Sequence, residues 1–109
     1  MKTSELEKLG FECLQNQFED VEIAGGYTSD LLSDVMANLA EHQVLITIQA
    51  HKNTVAVASL ADAAAIVFCH GRKATADVVS AAAQEGIALF SSPDNQYNTT
   101  CRVAKFLGA

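Results

Sequence analysis

Three short apolar runs rich in β-branched residues, Val44 to Ile48, Ala63 to Cys69 and Ile87 to Phe90, are separated by segments of helical character. This alternation constrains the fold more than any other feature. A run apolar at nearly every position is a strand covered on both faces, which is the habit of parallel sheets. Strands alternating with helices at this spacing imply right-handed βαβ crossovers, so the predicted fold is α/β, a mainly parallel sheet with helices on both faces. The 109 residues suit one domain, 1–109, and no linker or low-complexity segment divides them.

The remaining elements follow from local signals. Ser4-Glu5-Leu6-Glu7 has capping-box spacing, and Gly10 stands where a short helix would end. Phe11 to Leu14 reads as a brief strand, and Val21 to Ala24 as another running into a turn at Gly25 and Gly26. Ser29 is the predicted N-cap of the next helix, whose apolar face would hold Leu31, Leu32, Val35, Met36 and Leu39. Asn53 would cap a helix from Thr54 to Ala61, Gly86 would end one from Thr75 to Glu85, and Ser91-Ser92-Pro93 would open the last.

Thirteen acidic against seven basic side chains give a formal charge of −6, which works against general affinity for nucleic acid or an anionic membrane. The longest apolar run is far short of the roughly 20 residues that span a bilayer. Met1-Lys2-Thr3-Ser4-Glu5 leads into a charged helix rather than an apolar signal segment, so the expected location is cytoplasmic. Cys13, Cys69 and Cys101 are an odd number spaced far apart and read as reduced thiols, with Cys69 buried in its strand.

In an open parallel sheet, ligands gather beyond the carboxyl ends of the strands, where loops meet helix N-termini. Four segments qualify: Gly25 to Asp30, Gln49 to Asn53, His70 to Lys73 and Ser91 to Asp94. Their candidate ligand-binding residues are Gly25, Gly26, Thr28, Ser29, Asp30, His51, Asn53, His70, Gly71, Arg72, Ser91 and Ser92. Each also has a purely structural reading, as a cap, a turn or a solvated side chain. Catalytic and cofactor motifs are missing from the sequence. Gly71-Arg72-Lys73-Ala74-Thr75 does not fit a phosphate-binding loop, Gly25-Gly26 lacks the third glycine of a dinucleotide site, and His42 reads as an exposed loop residue. No metal and no cofactor is called for.

Gly26-Tyr27-Thr28-Ser29-Asp30-Leu31-Leu32-Ser33-Asp34-Val35-Met36, followed by Ile46-Thr47-Ile48-Gln49-Ala50-His51-Lys52-Asn53-Thr54-Val55-Ala56-Val57-Ala58, closely resembles stand-alone members of the DRTGG domain family. The resemblance runs nearly end to end. It is more divergent in the last third, at His70 to Ala74 and Ser91 to Asn95, and the pentapeptide that names the family is absent. It implies a small α/β module similar to the N-terminal domain of HPr kinase/phosphorylase, with a regulatory or oligomerising role. The kinase chemistry there belongs to a separate P-loop domain, so no catalytic residue carries over. The leading expectation is a non-catalytic regulatory module that binds a small anionic metabolite or nucleotide, acts on a partner protein and forms a homodimer. The alternative is a self-associating module without a small-molecule ligand, and an enzyme using His51 or His70 ranks third.

Overall fold

The computed structural model describes residues 1–108, and its centre is a five-stranded sheet. Strands β1 (Glu12–Gln15), β2 (Gly25–Thr28), β3 (Gln43–Thr47), β4 (Ala65–Phe68) and β5 (Ala88–Ser91) lie in the order β1-β5-β4-β3-β2. The last four are parallel, and β1 joins β5 antiparallel with a bulge between Cys13 and Gln15. Helices α1 (Leu32–Asn38), α2 (Lys52–Leu60) and α3 (Ala76–Glu85) are the crossovers, and α4 (Gln96–Phe106) follows β5.

Because β2 to β5 advance across the sheet without reversing, right-handed crossovers put α1, α2 and α3 on one face. There Val35, Val55, Ala58, Val78 and Ala82 pack on Leu45, Ile66, Phe68 and Leu89. The other face, carrying Val44, Ile46, Val67 and Phe90, is covered by Val103 of α4, Leu6 of an N-terminal 3₁₀ helix (Thr3–Leu9), Phe11 and Ile23. Alternate residues of each central strand thus feed opposite cores, which is why their apolar runs are continuous. Fully burying one such Leu, Ile or Phe contributes about 1.5–3 kcal/mol.

The expected α/β fold with helices on both faces is observed, while several local expectations need correction. The strand foreseen at Val21 to Ala24 lies four residues later, and Gly25 and Gly26 sit inside β2 opposite Gln43 and Val44 rather than in a turn. A Cβ added at Gly26 would meet Val44 O at 3.6 Å and Val103 of α4 at 3.9 Å, both ordinary contacts.

Ser29 does not cap α1. That helix begins at Leu32 with Leu31 in the cap position, and Ser29 Oγ accepts only from Leu31 N at 3.3 Å. Leu31 and Met36, foreseen on the buried face, are exposed. The foreseen capping box at Ser4 is displaced: Lys2 stands at the cap, Glu5 accepts from its backbone N at 2.9 Å, and Ser4 bonds Asp20. Asn53 lies inside α2, whose cap position is His51. Ser91 belongs to β5, and Asn95 caps α4 by accepting from Asn98 N at 2.8 Å.

Candidate functional site

Four parallel strands in register bring the four foreseen loops to one end of the sheet, beyond Thr28, Thr47, Phe68 and Ser91. What those loops do there differs from residue to residue. Asp30 is a junction. Its Oδ1 accepts from Thr47 Oγ1 at 2.8 Å, Ile48 N at 2.9 Å and Gln96 Nε2 at 3.0 Å, and its carbonyl accepts from Gln49 Nε2 at 3.1 Å. One carboxylate therefore ties the exits of β2 and β3 to the start of α4.

Thr28 shares a hydrogen bond with Thr100 of α4 at 2.8 Å, and the buried Ser92 shares one with Thr99 at the same distance. Ser91 Oγ donates to Arg72 O at 2.7 Å. His70 and Gly71 both have left-handed backbones, closing a turn in which Arg72 N donates to Cys69 O. The two central amides of this turn are already engaged, His70 N with Asp94 O at 2.8 Å and Gly71 N with Ser92 O at 2.7 Å.

These residues do not converge on one cavity. Gly26 and Thr28 line a small apolar pocket of about 100 Å³ beneath α4, with Ile46 and Val103. Gly71 and Ser91 line a depression of about 190 Å³ beside Glu12 and Lys73, which form an ion pair. His51 and Asn53 line an open groove of about 460 Å³ between the starts of α2 and α3, completed by Ala50, Lys52, Thr75 and Asp77.

That groove differs electrostatically from the rest of the edge. The N-terminus of α2 has no side-chain cap and no acidic residue in its first turn, so its leading amides lack an internal acceptor charge. The N-terminus of α3 is supplied differently. Asp77 is held below the usual carboxylate range, first by the Thr75 hydroxyl, then by backbone amides and Lys52. Residues 48–53 and 69–75 together carry His51, Lys52, His70, Arg72 and Lys73 and not one carboxylate. Lys52 and Arg72 form no ion pair among the described residues.

Lys52 and Thr75 were not foreseen as site residues. Lys52 was missed because Asn53 has the chemistry of a cap, which set the foreseen helix start two residues later than Lys52. A larger groove, about 790 Å³ between β1 and α3, was not foreseen either and holds none of the candidate residues; Cys13, Gln15, Ala76 and Val79 are among its lining. The thiols of Cys13 and Cys69 are pushed up by burial, which keeps them protonated and unreactive.

No family model matches the chain, and no curated protein matches it. Solved structures do, and the likeness is one of fold: the chain is similar to an α/β domain of a known regulatory region. One is the crystal structure of the CBS and DRTGG domains of the regulatory region of Clostridium perfringens pyrophosphatase, complexed with its activator diadenosine tetraphosphate. The likeness has a TM-score of 0.71 at 10% identity and covers 90% of this chain. It spans 43% of that regulatory chain, so it concerns the fold of a part of it.

Proposed function

We propose that this chain is a non-catalytic regulatory module of the cytoplasm that binds a small anionic metabolite or nucleotide and acts on a partner protein. One observation carries this reading: the uncapped start of α2, flanked by Lys52 and His51, opens into a groove at the carboxyl end of the parallel strands. A phosphate placed there meets free backbone amides, the positive end of the helix dipole and the Lys52 ammonium. Asn53 supplies a neutral donor at the rim, and Asp77, which accepts from the Thr75 hydroxyl, limits how far a negative group can move toward α3. His70, Gly71 and Arg72, one loop away, suit a ligand long enough to carry a second anionic group. Within this reading Gly25, Gly26, Thr28, Ser29, Asp30, Ser91 and Ser92 shape the scaffold under the loops. The solved regulatory region, which has a nucleotide activator, supports the class of ligand.

A thermal-shift screen of nucleotides and phosphorylated metabolites tests the reading. A ligand at 100 times its dissociation constant stabilises the fold by about 2.7 kcal/mol. The expected result is a saturable shift that Lys52→Ala diminishes; a shift untouched by Lys52→Ala and by His51→Ala moves the site elsewhere.

Self-association is the second reading, favoured by the outer edge of β2. Edge strands are usually blunted by charge, proline or a bulge. The bulged β1 carries Glu12, whereas β2, Gly25-Gly26-Tyr27-Thr28, has none of these devices and pairs on one side only. A second copy could continue the sheet there.

A further inference from the structure

At the amino end of the sheet, away from the anion groove, Glu41 and His42 lead into β3 while Asp62 leads toward the adjacent β4. One ligand atom from each of the three side chains lies within 4.8 Å of the others. From this convergence we infer that Glu41, His42 and Asp62 form a binding site for a divalent first-row transition ion. The inference is independent of the anion groove.

The donor set is an imidazole nitrogen and two carboxylates, a mixture suited to zinc and its neighbours rather than to a soft, thiolate-seeking ion. His42 Nε2 and Asp62 Oδ2 are 3.9 Å apart. At a tetrahedral angle two metal–ligand bonds of about 2.1 Å span about 3.4 Å, so a side-chain adjustment of about half an ångström brings both donors onto one ion. Glu41 is exposed and free to swing onto a third position, leaving the remaining positions to water.

The backbone is already fixed for this task. His42 N donates to Asp62 O at 2.9 Å and His42 O accepts from Ala24 N at 2.9 Å, which ties the two ligand-bearing loops and the entry to β2 together. Among the described residues, no lysine or arginine neutralises Glu41 or Asp62. A divalent cation would supply that charge and clip the β3 entrance to the β4 entrance.

Titration calorimetry of the whole chain with zinc chloride alone tests the site, with His42→Asn and Asp62→Asn as variants. His42 and Asp62 have left-handed backbones, at φ 62° and 57°, and asparagine tolerates that region, so both variants keep the loop geometry. The expected result is one saturable equivalent of zinc, with affinity reduced at least about tenfold in each variant and unchanged in His51→Asn. Absence of saturable binding to the unmodified chain would overturn the inference. So would an affinity that His42→Asn leaves intact, because the ion would then sit on thiols or other histidines.

Discussion

Gly25 and Gly26 are neighbours in sequence under different constraints. Gly25 has φ +152°, a region that side-chain-bearing residues rarely enter, while Gly26 has an ordinary extended backbone and a 3.6 Å clearance from Val44 O for an added Cβ. Gly25→Ala is therefore expected to cost about 1–3 kcal/mol. Gly26→Ala should stay within about 0.5 kcal/mol, because the added Cβ meets only ordinary contacts. Urea unfolding with an unchanged denaturant slope checks both, and equal midpoints for the two variants would contradict the assignment. Asp30 invites a second measurement. Its replacement by Ala leaves Thr47 Oγ1, Ile48 N and Gln96 Nε2 without their acceptor, an expected loss of about 2–3 kcal/mol. Arg72→Ala, in an exposed turn, should change stability by less than about 0.5 kcal/mol. If it weakens an anionic ligand by about 1.5–3 kcal/mol, the ligand reaches beyond α2 to the next loop.

Among the elements, α2 offers the sharpest test. His51→Asp would place a good N-cap on an uncapped helix and raise stability by about 0.5–2 kcal/mol, while putting a carboxylate where the proposed anion binds. The expected pair of outcomes is a higher melting temperature and loss of ligand-induced stabilisation; a variant that gains stability and still binds would separate the site from the helix start. The 3₁₀ helix is anchored by Asp20, which accepts from Ser4 N at 2.9 Å and Ser4 Oγ at 2.7 Å. These bonds, the one from Ser4 N first, hold its carboxyl below the usual carboxylate range. A depressed carboxylate contributes stability that is fully present above its unfolded pKa and lost as pH falls through the folded one. Acid titration of Asp20→Asn should accordingly show a shallower loss of stability below about pH 4 than the parent chain.

Elements differed in how far the sequence revealed them. β3, β4 and β5 were legible because burial on both faces leaves no polar alternation to misread, and Gly86 marked the end of α3 by adopting the left-handed cap. β2 was not, because two glycines carry no strand signal and the register comes from β3 beside them. The starts of α1 and α2 were misplaced for a related reason. Ser29 and Asn53 have the chemistry of caps, but the positions are decided by Asp30's bonds to β3 and by Thr54 Oγ1 donating to Gln49 O at 2.6 Å. Polar loops could be assigned to one edge from topology alone, whereas their division among separate depressions depends on side-chain partners that spacing does not encode.

For the whole molecule, the regulatory reading predicts that purified protein will neither hydrolyse ATP nor phosphorylate HPr on serine, since the sequence has no phosphate-binding loop to position a triphosphate. Metal-dependent phosphorylation by contaminant-free protein would refute it. The expected homodimer is checked by sedimentation, where a single species at the 11.6 kDa of one chain at tens of micromolar, about the range relevant to small interfaces, would exclude it. The sheet's connectivity has one more consequence. Glu12 pairs with Ser91, so the first strand has no partner until the last has been made. A ribosome would release the segment ending at Gln15 long before it could dock, and a copy truncated ahead of Ala88 would strand β1 together with the 3₁₀ helix that leans on α4. Such closure from the two ends slows folding relative to a sheet built in order of synthesis.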